Sequence, residues 1–312
     1  MNTAFLFPGQ GAQVVGMGKD VADAFPAAAQ MFEKANNLVG FDLKGICFEG
    51  PADKLNTTVI SQPAIFVTSA AILEAVRTTA HGRELVPDVT AGLSLGEYTA
   101  LYAAGLLSFE ETLILVKKRG QAMQTAADEN PGGMVSIIGL DAETVRKLCA
   151  EARSGELLEP ANFNCQGQIV ISGTSDACDR TVQLAEKYGA VKAVRLEVAG
   201  AFHTEMMAGA AQALRTHLMS CNIAEPGHTR VIANIDAEYY QSSKKIVEGL
   251  IKQLTCPVLW QQCMQRLIAE GVECFYEIGP GRVLTGLMKR IDRKAKVVNI
   301  SSLGSVNEFA AC

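Results

Sequence analysis

The chain has 312 residues, 48% of them hydrophobic and 20% charged, with a formal net charge of −5. That hydrophobic share fills a real core and excludes a disordered chain, and the length suits one large domain carrying a smaller one. The acidic balance excludes a generally basic nucleic-acid binder and leaves only a local basic patch for an acidic partner.

Residues 3–7 are a short apolar run stopped by Pro8 and Gly9, which predicts a buried strand followed by a glycine-rich turn through Gln10, Gly11 and Gln13. Helical spacing covers 22–38 and 65–79. A strand over 89–92 leads into a helix over 96–104, and a second helix covers 110–124. The latter has acids at its start and Lys117, Lys118 and Arg119 in its later turns, a polarity that suits the helix dipole. Strands alternating with helices predict a parallel sheet covered on both faces.

The rhythm changes at Asn130-Pro131-Gly132-Gly133. Strands over 134–139, 158–162, 168–173 and 191–196 and helices over 142–152 and 175–187 give the order β-α-β-β-α-β, the split pattern of a ferredoxin-like domain. The expectation is a small domain, 129–198, inserted into a larger α/β domain made of 1–128 and 199–312. The larger pattern then resumes with helices over 206–221, 243–254, 260–270 and 283–290 and strands over 230–234, 274–278 and 297–300.

No uninterrupted apolar stretch reaches the length of a membrane span, and the N-terminus lacks the basic and long apolar regions of a signal peptide. Nine cysteines include no CxxC pair, and the four histidines do not cluster with them. These features predict a soluble, cytoplasmic protein with buried thiols and no metal site.

Gly92-Leu93-Ser94-Leu95-Gly96 fits G-x-S-x-G between a predicted strand and a predicted helix. The serine of such a motif sits on a sharp turn, its hydroxyl at a helix N-terminus where free N–H groups meet an oxyanion; the N–H of Leu95 is the natural first donor. A nucleophilic serine needs a base. His203 follows the last strand of the inserted domain, so connectivity returns it to the seam between domains, whereas His81, His217 and His228 fall in surface or packing positions. No acid between Ser94 and His203 stands out, leaving a carbonyl or a carboxylate to orient the imidazole. The turn after the first strand lacks the third glycine of a dinucleotide fingerprint, since Val14 stands there. It is either a plain strand-to-helix turn or a second oxyanion donor near Gln10. Arg119 shares a helix face with Met123 and is flanked by Leu113 and Val116; it is either a solvated cation or a guanidinium placed to grip a free carboxylate.

Together these segments resemble the malonyl-CoA:acyl carrier protein transacylases of fatty acid and polyketide synthesis. The matching stretches run collinearly through Phe7 to Gln13, Gly92 to Tyr98, Arg119 to Met123, Asn162 to Asn164, Ala201 to His203, Gln253 to Trp260 and Glu277 to Gly281. The resemblance implies an α/β-hydrolase-like core with a ferredoxin-like insertion. It implies a ping-pong transfer of malonyl from malonyl-CoA, through an ester on Ser94, to the phosphopantetheine thiol of acyl carrier protein, with no cofactor. In that scheme His203 is the base, the backbone carbonyl of Gln253 orients it, Gln10 and Leu95 form the oxyanion hole, and Arg119 binds the malonyl carboxylate. Met123, Leu93, Phe202 and Asn162 are expected around the substrate.

Leu93 departs from the family, which usually has histidine before the serine; since that histidine is not the base, activity is expected to survive. An aromatic residue such as Phe202 before the base accompanies malonyl over methylmalonyl in related modules, a discrimination worth about 1–3 kcal/mol. Lys289 and Arg290 lead the densest basic cluster, read either as a docking face for the acidic carrier or as a solvated helix face. The family suggests a monomer. Two rivals remain at this level: a hydrolase using the same Ser94–His203 pair, and a catalytically idle module suggested only by Leu93.

Overall fold

The computed structural model describes residues 3–311. Its nine strands fall into two separate sheets. Five are parallel: β1 (Thr3–Phe7) at the centre, β2 (Val89–Gly92) and β8 (Cys274–Ile278) beside it, and β7 (Arg230–Val231) and β9 (Lys296–Ile300) at the edges, in the order β7-β2-β1-β8-β9. Every residue of β1 is buried, because its alternating side chains enter two different cores. Phe5 and Phe7 point into one; Ala4 and Leu6 point into the other.

The remaining strands are β3 (Gly132–Ile138), β4 (Leu158–Cys165), β5 (Gln168–Thr174) and β6 (Lys192–Arg195). They form an antiparallel sheet ordered β4-β5-β3-β6. Period-2 alternation again divides the faces. Val135, Ile137, Ile169 and Ile171 pack with residues of the helices Ala142–Ala152 and Ser175–Leu184, whereas Met134 and Val170 face the core of the main body. Main-chain bonds also staple β4 to the main body: Phe163 N donates to Val258 O at 2.9 Å and Val258 N to Ala161 O at 2.9 Å.

Several expectations shift. The 22–38 helix is two helices, Lys19–Ala24 and Pro26–Val39, because Pro26 opens the second at the position where a missing N–H is harmless. The 65–79 helix begins earlier, at Thr58, and runs to Thr78 with Pro63 inside it. A proline there breaks the hydrogen-bond ladder and imitates a helix start, but burial on nearly every side holds the first turns in place. By length and mean hydropathy this helix could cross a membrane, but its apolar run is interrupted by Ser61, Gln62, Pro63 and Glu74 and it is almost wholly buried inside the protein, as befits a core helix. The 110–124 helix extends over Phe109–Glu129 behind a capping box of Ser108 and Glu111. Arg119 therefore lies at mid-helix, not in the dipole-favoured last turn. The 230–234 strand stops at Val231, since Asn234 is drawn away to serve the site described next.

Candidate active site

Strand β2 ends at Gly92, and the helix Gly96–Ala103 begins four residues later. A Cβ on Gly92 would lie 1.9 Å from the carbonyl carbon of Gly96, and one on Gly96 would lie 2.1 Å from Phe7 O, so the turn closes only with glycine at both positions. Ser94 sits at its apex with φ 53°. His203 has φ 62°, and these are two of only four non-glycine residues with positive φ among the described residues. Strain at both positions marks them as held in place by their surroundings.

Ser94 is half-buried, with its hydroxyl between two partners. Ser94 Oγ lies 2.9 Å from His203 Nε2 and accepts a bond from Arg119 Nη2 at 3.0 Å. His203 Nδ1 is 2.6 Å from the backbone carbonyl of Gln253. A carbonyl only accepts, so Nδ1 carries the proton and Nε2 presents its lone pair to the serine hydroxyl. Burial, reinforced by the Arg119 charge and opposed by the Gln253 carbonyl, lowers the His203 pKa to about 4. The imidazole is thus neutral at pH 7 and competent to take a proton.

Arg119 is 1% exposed and makes no ion pair among the described residues. Its hydrogen-bond acceptors are neutral: Gln62 Oε1 at 2.8 Å, Gln253 Oε1 at 3.0 Å and Ser94 Oγ. Its Nε has no partner, and its guanidinium carbon lies 5.5 Å from the Tyr98 ring centroid. A buried guanidinium with donors to spare and no carboxylate bonded to it has the chemistry to receive an anionic group. Gly120 allows this placement. A Cβ there would meet Thr58 O at 2.8 Å, so the helix Phe109–Glu129 approaches the helix Thr58–Thr78 closely enough for Arg119 to reach Gln62.

The turn around Gln10 packs against the nucleophile segment. A Cβ on Gly9 would lie 2.2 Å from Leu93 O, and Leu93 N donates to Phe7 O at 3.1 Å. The N–H groups of Gln10 and Leu95 donate to no acceptor among the described residues. Leu93 is half-buried against the core that holds Leu6 and Trp260. Met123 reaches the cluster through Gln62, whose Nε2 is 3.4 Å from the Met123 sulfur. Phe202 is buried beside His203 in the chain. Asn162 lies on β4 opposite Val258, and no side-chain hydrogen bond joins it to the cluster. Lys289 and Arg290 are exposed on the helix Val283–Ile291, also unconnected to it by any such bond.

Asn234, Glu97, Tyr240 and Gln62, which the sequence reading did not single out, complete the site. Asn234 Oδ1 accepts from Ser94 N at 2.7 Å and its Nδ2 donates to Gly92 O at 2.8 Å, clasping the strained turn from both ends. Glu97 accepts from Tyr240 OH at 2.5 Å, Gln253 Nε2 at 2.7 Å and Asn234 N at 3.3 Å. Burial raises its pKa to about 7 against those donors. Gln62 carries Arg119, as described. A carboxylate within the apolar run 95–101 and a glutamine within the apolar run 58–78 were the available signals, since buried polar residues require partners.

The arrangement offers a hydroxyl nucleophile, a neutral base with a fixed tautomer, two free backbone donors and a cation, which suits acyl transfer with a carboxylated acyl group. Residues 4–308 match the acyl transferase domain family. The chain is similar to the malonyl CoA-acyl carrier protein transacylase of Bacillus subtilis (strain 168), with 43% identity over 299 residues, 96% of this chain and 93% of the relative. It is similar in structure to the malonyl CoA-acyl carrier protein transacylase of Coxiella burnetii, with a TM-score of 0.94 and 36% identity, covering 100% of this chain and 97% of the other. A malonyl-transacylase solved in complex with its type II PKS acyl-carrier protein is equally similar, with a TM-score of 0.94 and 37% identity over 100% and 99% of the two chains.

Proposed function

The chain belongs to the acyl transferase domain family, and from that premise we propose that Ser94 carries the acyl group between two thiols. The protein is an acyltransferase that moves a malonyl group from malonyl-CoA to the phosphopantetheine thiol of acyl carrier protein, supplying fatty acid or polyketide chain extension. One observation carries the assignment of roles: a single oxygen, Ser94 Oγ, lies within hydrogen-bond distance of both a neutral imidazole and an unpaired guanidinium.

His203 Nε2 takes the hydroxyl proton as Ser94 Oγ attacks the thioester carbonyl. The oxyanion is received by the N–H groups of Gln10 and Leu95, where loss of one donor typically costs about 10²–10³ in rate. The C–S bond breaks, the imidazolium returns its proton to the departing coenzyme A sulfur, and a malonyl ester remains on Ser94. The carrier thiol then gives its proton to His203, attacks the ester, and releases Ser94 as the alcohol. The Gln253 carbonyl holds the imidazole in place of an acid. Arg119 grips the distal carboxylate and fixes the acyl group so that an incoming thiol competes well against water. Leu93, Phe202, Met123 and Asn162 shape the space around the acyl chain. Incubation with labelled malonyl-CoA tests the whole scheme: label stays on the protein until carrier thiol is added. Prompt release of free malonate would assign a hydrolase.

Arg119→Ala is expected to lower kcat/KM for malonyl-CoA by about a hundredfold while changing that for acetyl-CoA far less. Unchanged malonyl kinetics would remove the clamp. The acid limb of kcat/KM reports His203 in the free enzyme. Its pKa is lowered, so the active neutral form persists as pH falls, and the limb lies near pH 4 rather than 6.5. A profile already falling at pH 6.5 would contradict that environment. In Arg119→Ala the limb moves upward, because a repelling charge is gone.

The finer architecture follows the same reading. With β3, β4, β5 and β6 taken as first to fourth, the antiparallel order is 4-1-3-2, which supports a ferredoxin-like small domain over 129–198. The segments 1–128 and 199–312 make the α/β-hydrolase-like domain around the parallel sheet. Lys289 and Arg290 are the docking face for the acidic carrier. Reversing both charges is expected to raise the Michaelis constant for carrier protein at low salt and leave that for malonyl-CoA unchanged.

A further inference from the structure

Glu97 is a fully buried carboxylate that the transfer chemistry does not use. It lies in the first turn of the helix Gly96–Ala103, three residues past the nucleophile. None of its three hydrogen-bond donors is charged. Its hydrogen-bonded route to a cation runs through one side chain. Gln253 Nε2 donates to Glu97 Oε2 at 2.7 Å, and Gln253 Oε1 accepts from Arg119 Nη2 at 3.0 Å. Gln253 Nε2 also donates to Ser94 O at 2.9 Å.

An amide held between a guanidinium, which only donates, and Glu97 Oε2, an oxygen that also accepts from the Asn234 N–H, has a single satisfied orientation. Turned over, it would set Nε2 against Nη2 and Oε1 against Oε2, leaving buried groups unpaired on both sides. We propose that Glu97 is a positioning residue: its carboxylate locks the Gln253 amide, and the locked amide aims Arg119 at the carboxylate of the acyl group. The inference rests on the reading of Arg119 as a carboxylate clamp. Gln253 thus serves the site twice, its backbone carbonyl holding the base and its side chain holding the clamp. The lock acts on the second. A guanidinium that already lacks a partner at Nε loses its Gln253 acceptor when the amide turns, and is left with Gln62 and the reacting Ser94 oxygen, which is not a fixed anchor during acyl transfer.

The test is a double-mutant cycle read with two thioesters, malonyl-CoA and acetyl-CoA, the second lacking the distal carboxylate. Glu97→Gln preserves volume but replaces an anionic anchor with a neutral group that can also donate, so the Gln253 amide is held more weakly and its turned orientation is less strongly opposed from that side. The expected result is a fall of about tenfold in kcat/KM for malonyl-CoA, with acetyl-CoA changed less than about threefold. In an Arg119→Ala background, Glu97→Gln should move neither substrate by more than about threefold, because the residue through which it acts is gone. Equal losses for both substrates, equal losses in both backgrounds, or no loss at all would each overturn the proposal. Arg119→Ala leaving malonyl kinetics intact would instead defeat the clamp reading beneath it. If Glu97→Gln does not fold, Glu97→Asp withdraws the carboxyl group from the Gln253 amide and leaves Gln253 and Ser94 themselves unaltered. The same malonyl-selective loss supports the lock, and an unselective one refutes it.

Discussion

Replacing Ser94 with alanine is expected to abolish acyl transfer, lowering kcat by about 10⁵-fold or more, because no other hydroxyl stands where His203 and Arg119 converge. The substitution removes one oxygen and little else. Alanine tolerates φ 53° about as poorly as serine does, and Asn234 clasps the backbone of residue 94 and of Gly92 rather than the side chain. The folded protein should therefore survive, with a melting temperature within a few degrees of the parent. Intact-protein mass spectrometry after exposure to malonyl-CoA gives the readout: the parent gains one malonyl group on the peptide containing Ser94, and the variant gains none. Label on the alanine protein would place the nucleophile elsewhere.

His203→Ala should cost about 10²–10⁴ in rate, the range of a single general acid–base group. The loss is smaller than for Ser94, because the oxyanion donors and Arg119 still bind the acyl group. It should strike both halves of the cycle alike. In the proposed scheme the same nitrogen deprotonates Ser94 in the first half and the carrier thiol in the second. Single-turnover acylation by malonyl-CoA and discharge by carrier protein, measured separately, should slow by similar factors. A variant slow in one half only would assign the proton transfer of the other half to a different group. The bonds from Arg119 to the Gln62 and Gln253 side chains do not involve His203, and only the Gln253 carbonyl loses its partner, so malonyl binding should be nearly preserved.

Much of this arrangement could be read from local sequence. The run 3–7, the motif around Ser94 and the strand-helix order of 134–196 each report a pattern that neighbouring residues decide, and each element forms where the residues predict. Boundaries failed where burial overrode a local rule. Pro63 sits inside a helix that its surroundings hold together, and Arg119 lies mid-helix because the chain stays helical to Glu129. The supporting shell was not legible. Asn234 meets the main-chain N of Ser94 across 140 positions, and Gln253 meets Glu97 across 156. Such pairs have no period and no spacing. A buried glutamate in an apolar run says that partners exist without saying which.

The main-chain staple between β4 and Val258 has a mechanical corollary. Val258 is five residues from Gln253, whose carbonyl lies 2.6 Å from His203 Nδ1. A displacement of the small sheet would pull on that segment and tilt the imidazole relative to the serine. The aim of the imidazole is thereby tied to the seating of the smaller sheet, and a substitution that loosened that seam would reach the serine without touching it.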